Sequence, residues 1–176
     1  GNAVDKATRL AAMHATDLAP SIHPTHVERA WSVALPGYPV DLVGTLDVQE
    51  RDSVRDLKTA GKSPPGNAAD LSDQLTAYAL AVRVVDGTAP RRVVLDHLVG
   101  LKIGRKVVTL ESERAAADFK VFLARVEQAC RVIEKGAFTP ARQTDWACSR
   151  KWCGYADTCP YFRGRITGSG IITEGE

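Results

Sequence analysis

The chain has 176 residues, enough for one domain with a sizeable core, and its 44% hydrophobic and 25% charged content excludes wholesale disorder. A net charge of +2 does not by itself demonstrate a polyanionic partner, although a local basic groove binds phosphate even on a nearly neutral protein. No apolar run reaches the length of a membrane span and no signal peptide is visible, so thiols or a metal are expected at the four cysteines rather than disulfides.

The chain opens at Gly1 without Met, which predicts that residues upstream have been trimmed. Residues 3–18 have helical spacing, with Val4, Leu10, Ala11 and Leu18 on the apolar side and Pro20 and Pro24 closing the element. HVERAWSVAL (26–35) and YPVDLVGTLDVQE (38–50) read as strands joined at Pro36-Gly37, a hairpin, and SVRDLKTA (53–60) as a third strand. GKSPPGN (61–67) is a loop. Residues 68–86 form a predicted helix in which Leu71, Leu75, Tyr78, Val82 and Val85 recur at steps of four and three. RRVVLDHLVGLK (91–102) and RKVVTLES (105–112) are two further strands around Gly104, and residues 113–135 a long helix burying Phe119, Phe122, Val126, Cys130 and Ile133. This order predicts an α/β (α+β) fold, a central mixed β-sheet of about five strands flanked by helices, followed by a cysteine-containing C-terminal tail.

Charges interrupt these strands. Asp56 and Lys58 stand two apart, so they share a face while Leu57 points to the other. If the strand of Asp47 pairs with theirs, its carboxylate lies beside Asp56. Two converging carboxylates suit a hard cation such as Mg2+, and a neighbouring ammonium would orient an attacking water and offset developing phosphate charge. Taken alone, Asp-x-Lys is a weak signal, and a solvated strand face is its default explanation.

Gly44-Thr-Leu-Asp47, Asp56-Leu-Lys58, Gln74-Leu-Thr-Ala-Tyr78 and the cysteine-rich tail occur together in the order of the PD-(D/E)XK nuclease superfamily. Over nearly its whole length the chain resembles the RecB-like exonuclease branch, which includes CRISPR-associated and phage exonucleases. The resemblance implies a restriction-endonuclease-like core at 1–140, a cysteine-rich segment packed on it at 141–165 and a flexible tail at 166–176. It implies that Asp47 and Asp56 bind catalytic Mg2+ or Mn2+ and that Lys58 assists the water. Gln74 and Tyr78, one helical turn apart, would border the site, with the Tyr78 ring packed and its hydroxyl reaching in. These exonucleases place a metal-binding histidine on the opening helix after a glycine. Asp5 stands at about that place here and is the candidate third ligand, although a first-turn aspartate also suits the helix dipole. His14, His23, His26 and His97 show no paired spacing and read as ordinary surface or core residues, and Glu28 as facing solvent.

Cys148, Cys153 and Cys159 lie close enough together to suggest a thiolate metal site. The resemblance implies a structural [4Fe-4S] cluster, its fourth ligand expected upstream of Gly1. Zn2+ completed by another residue, or no metal, are the alternatives, and Cys130 reads as core. Arg55, Lys62, Arg91, Arg92, Lys102, Arg105, Lys106, Arg150 and Lys151 are available for phosphate, at least half of them as plain solvated charges. Trp31, Trp146 and Trp152 read as packing residues before base-stacking ones. The implied activity is a Mg2+- or Mn2+-dependent deoxyribonuclease, an exonuclease rather than an endonuclease, acting on DNA ends or single strands. The implied setting is recombination, repair or phage DNA metabolism, alongside a helicase or recombination partner, in the cytoplasm of a bacterium or phage-infected host and away from membranes. A non-catalytic DNA-binding domain that keeps the fold is the rival reading, and a small zinc-binding adaptor the third.

Overall fold

Runs rich in β-branched and apolar residues through the middle of the chain form a five-stranded sheet in the order β1 (Pro24–Ala34), β2 (Asp41–Glu50), β3 (Ser53–Ala60), β4 (Arg92–Gly100) and β5 (Arg105–Ser112). The computed structural model describes residues 3–100, 104–137, 140–142 and 145–162. Lys102 and the 166–176 segment therefore lie outside the described residues. The chain divides into two compact units, Gly1–Cys130 and Arg131–Glu176.

Neighbouring strands are antiparallel except β3 and β4, which run parallel from Ser53–Arg92 to Ala60–Val99. A parallel step needs a crossover, and α2 (Asp73–Val85) provides it. Val54, Val93 and Leu95 point into the main core with Leu75, Tyr78 and Ala79 of α2 and Phe119 of α3 (Ala116–Glu134). Leu57 and Leu98 point to the opposite face, against Leu10, Met13 and Leu18. Strand period then places Asp56 and Lys58 on the α2 face.

Several boundaries depart from the sequence expectation. The first helix, α1 (Ala3–Met13), passes into a single π-helical turn (His14–Leu18) and a 3-10 turn (Ala19–Ser21) that contains Pro20, while Pro24 opens β1. Met13 is fully buried and Val4 is exposed. The α2 helix starts five residues later than the periodicity suggests, because Ser72 caps it: its hydroxyl accepts from Leu75 N at 3.2 Å. Leu71 precedes the cap and is 74% exposed, and Val85 is exposed at the other end. In α3 only Phe119 is buried; Phe122, Val126 and Cys130 are half-buried and Ile133 is exposed, so Cys130 is no core residue. In the second unit, Cys148, Cys153 and Cys159 each close a short backbone turn, their N–H groups donating to Asp145, Ser149 and Tyr155. Among the described residues no helix is long and apolar enough to cross a membrane.

Gly44 is paired with Trp31 across β1 and β2, and the buried indole lies directly over it. A Cβ there would sit 2.6 Å from Trp31 Cζ2, inside van der Waals contact. Gly44→Ala is expected to destabilise the fold by about 1–3 kcal/mol through overpacking, read as a lower denaturation midpoint at unchanged slope. An unchanged midpoint would mean that the indole has room to move.

Candidate active site

The site begins where β2 and β3 part. Their ladder consists of Val48–Arg55 and Gln49–Val54. Beyond it, the N–H of Leu57 is taken by a side chain: Asp47 Oδ2 accepts it at 2.8 Å. Burial along β2 shows how Asp47 becomes available. Leu42, Gly44 and Leu46 are inward in strict alternation, and then the phase changes so that Gln49 is buried. Gln49 is held there by Arg29 at 2.6 Å and by Asp86 at 2.7 Å. Across the strand pair, Glu28 occupies the register position opposite Asp47, between Val27–Val48 and Arg29–Leu46, with φ of +50°. Non-glycine residues seldom adopt that conformation, so both strands are irregular at the same point.

The Asp56 side chain is fully buried, and the Lys58 ammonium lies 2.9 Å from both of its oxygens. Lys58 donates to Oδ1; Oδ2 has the charge contact but no aligned hydrogen bond among the described residues. The ammonium also donates to Gln74 Oε1 at 2.9 Å, and Gln74 Nε2 donates to the Tyr78 hydroxyl at 2.7 Å. An ammonium only donates, so Gln74 turns its oxygen to Lys58 and its NH2 to Tyr78. The Tyr78 oxygen thus accepts, and its own proton is left for another acceptor.

Burial pushes the Asp56 carboxyl above the usual range; Lys58 opposes this and the nearby Asp47 charge reinforces it. Burial likewise raises the Tyr78 phenol, with Asp47, Asp56 and Glu28 adding to the effect and the Gln74 hydrogen bond opposing it. Burial lowers His97, so its imidazole is neutral at physiological pH. A carboxylate pair with one buried oxygen free of any aligned hydrogen bond among the described residues fits a hard divalent cation, which takes one or two carboxylates and keeps several waters.

The structure thus brings together Asp47, Asp56, Lys58, Gln74 and Tyr78. Asp5 stands exposed in the first turn of α1, a helix whose buried residues pack on the sheet face opposite Asp56 and Lys58. Cys148, Cys153 and Cys159 are free and half-buried, and among the described residues no group of three His, Cys, Asp or Glu side chains is arranged to hold a metal ion. Arg55 is committed elsewhere: it pairs with Glu50 at 2.6 Å and Asp96 at 2.9 Å on the face away from Lys58. Burial favours protonation of Glu50, but the His23 N–H, the Ser53 hydroxyl and Arg55 together hold its carboxyl at about 2. Arg92, Arg105 and Arg150 also have acidic partners, in Glu111, Asp17 and Asp157.

Two residues read as bland in the sequence belong to the site's surroundings. Glu28 is exposed, yet its charge acts on Tyr78. His97 pairs with Lys58 across β3 and β4, and its Nδ1 is buried without a partner among the described residues. The one signal available for His97 was an Asp-His pair inside an otherwise apolar strand.

A family model of the PD-(D/E)XK nuclease superfamily matches residues 3–160. No curated protein matches the chain. Among solved structures it is similar to a protein of Eubacterium rectale named as a candidate exonuclease, with 14% identity and a TM-score of 0.56 over 96% of this chain and 63% of that one. That likeness shows a common fold, and the chain spans less than two thirds of the other protein's length. The chain is also similar to SSO0001, at 13% identity and a TM-score of 0.42, over 90% of this chain and 67% of that one.

The folded state binds the Asp56 proton more tightly than the unfolded chain does. Stability therefore falls as pH rises through and above the ordinary aspartate value of 3.8. Asp56→Asn, which cannot ionise, is expected to melt above the parent at neutral pH in EDTA, with the gap closing toward acid pH. A lower midpoint for the variant at neutral pH would show that the Lys58 pairing outweighs the cost of burial.

Proposed function

Because the chain belongs to the PD-(D/E)XK nuclease superfamily, we propose that it is a Mg2+- or Mn2+-dependent deoxyribonuclease of the RecB-like exonuclease type, hydrolysing phosphodiester bonds at DNA ends or in single strands. The observation that carries this reading is the hydrogen-bonded series Asp56–Lys58–Gln74–Tyr78, with Asp47 beside it and the buried Oδ2 of Asp56 held by charge contact alone, with no aligned hydrogen bond among the described residues. In this reading Asp47 and Asp56 hold the cation, and Asp5, on a helix packed against the other sheet face, would complete it only by reaching past the edge of the sheet. The bound cation would supply Lewis acidity toward the scissile phosphate and a lowered pKa for an attacking water.

The chain's own residues do the rest. Lys58, fixed from two sides by Asp56 and Gln74, presents a localised positive charge where charge develops on the phosphate. Its position costs no rearrangement during the reaction, because both partners are in place beforehand. Tyr78, with its oxygen occupied by Gln74, donates its proton to a phosphate oxygen. Its raised pKa keeps the phenol protonated for that role. The nuclease function is assigned to residues 1–140, and Cys148, Cys153 and Cys159 carry no step.

The test is cleavage of end-labelled single- and double-stranded DNA with Mg2+, with Mn2+ and with EDTA. Asp56→Ala is expected to show no turnover, Lys58→Ala to lose roughly 100-fold in kcat, and Tyr78→Phe about tenfold. Cleavage that persists in EDTA or in Asp56→Ala would sink the assignment. DNA binding without cleavage under either metal would favour a non-catalytic DNA-binding domain.

A further inference from the structure

In a regular sheet, residues two apart on a strand share a face, and so do residues paired across a ladder. β1 and β2 break this rule at the same level. Leu46 lies in the main core, whereas Val48 pairs with Arg55, whose side chain lies on the face away from Lys58. The partners on β1 follow: Arg29 pairs with Leu46, and Val27 with Val48. Both strands therefore turn over between these rungs, at Asp47 on β2 and at Glu28, with its φ of +50°, on β1. A non-glycine residue in that region is strained and persists only where its surroundings over-determine it.

The groups that hold the turnover lie on the α2 face. Arg29 and Gln49 flank it, one on each strand, and both reach Asp86, the residue that caps the C-terminus of α2. Arg29 donates to the two Asp86 oxygens at 2.8 and 2.7 Å and to Gln49 Oε1 at 2.6 Å, and Gln49 Nε2 donates to Asp86 Oδ2 at 2.7 Å. Each of the three is thus bonded to the other two. Arg29 and then Gln49 hold the Asp86 carboxyl at about 2, so it is ionised at neutral pH. An Arg–Asp pair as exposed as this one would alone contribute little to stability. Gln49 changes that reading. It is only 8% exposed, and both halves of its amide are met. An apolar side chain would fill the position as well, so an amide there serves the partners that it joins.

We propose that Arg29, Gln49 and Asp86 are positioning residues, which hold the turnover of β1 and β2 and so deliver the Asp47 carboxylate to the Leu57 N–H and to the side of Asp56. They act through Asp47 and not at the reacting atoms. Without them β2 is free to continue its alternation past Leu46, with Val48 inward in place of Gln49 and Asp47 turned to the other face. The purpose of this delivery, a cation held by two carboxylates, rests on the nuclease reading above, whereas the placement of Asp47 does not.

Amide hydrogen exchange in EDTA reads the placement, because the Leu57 N–H donates to Asp47 Oδ2. In Gln49→Leu and in Asp86→Asn, the latter an exposed change, Leu57 is expected to exchange about tenfold faster than in the parent, with the amides of the β3–β4 ladder unchanged. A merely structural role would quicken the whole sheet together. The double variant, Gln49→Glu with Asp86→Asn, exchanges carboxylate and amide, keeping the net charge and three of the four hydrogen bonds. It is expected to slow Leu57 again, whereas Gln49→Glu alone sets two carboxylates against each other and is not. Calorimetric titration with Mn2+ should show about tenfold weaker binding in the two single variants and recovery in the double variant. An unchanged Leu57 rate in either folded single variant, equal losses in the β3–β4 ladder, no recovery in the double variant, or an unchanged Mn2+ affinity would each overturn the proposal. If the parent binds no Mn2+, the cation of the nuclease reading fails instead, and exchange at Leu57 still decides the placement.

Discussion

Everything at the site depends on one hydrogen bond, from the Leu57 N–H to Asp47 Oδ2. Backbone pairing between β2 and β3 ends at Val48–Arg55, and an unpaired amide in the middle of a sheet would be costly. The carboxylate of Asp47 fills that need, and in doing so it is pinned against β3 at the level of Asp56. A regular ladder would satisfy the amide just as well, but with a carbonyl, and there would be no second charge beside Asp56. The gap in the sheet and the carboxylate pair are thus the same feature.

Lys58 converts this pair into something more than two mutually repelling anions. Its ammonium offsets part of the cost of burying Asp56, and it is held from the α2 side by Gln74. That α2 starts at Asp73, under the Ser72 cap, fixes which residues of the helix reach β3. Gln74 falls in the first turn and Tyr78 one turn on, where its ring joins the main core and its oxygen meets the amide. The strand and the helix are independent elements, so the alignment of the two polar groups rests on the packing of Leu75, Ala79 and Val82 between them.

Much of this was legible in the amino-acid order. Period-two spacing put Asp56 and Lys58 on one face, and helical spacing put Gln74 and Tyr78 on one edge of α2. Apolar, strand-like runs between turn signals marked all five strands, with β3 and β5 at their observed bounds. What was not legible depends on register and on local backbone choices. The phase change at Asp47, the positive φ of Glu28 and the Lys58–His97 pairing leave no periodic trace in a single strand. Leu71 fitted the apolar spacing, but the Ser72 cap excluded it from the helix. Asp5 was placed by analogy with a histidine of the resembling family. The structure shows only that it stands in the first turn of a helix packed on the other face.

That other face carries a lattice of its own. Glu50 of β2 accepts from Arg55 of β3, Arg55 donates to Asp96 of β4, and Asp96 accepts from Thr109 of β5 at 2.6 Å. Four strands are laced side to side, directly behind the place where two of them lose their backbone rungs. The side chains of Arg55, Glu50 and Asp96 are only 12%, 13% and 2% exposed, so dissolved ions screen the lacing poorly. Salt that screens exposed charges therefore leaves this lacing in place, so the frame behind Asp47 and Asp56 holds at ionic strengths that weaken surface ion pairs.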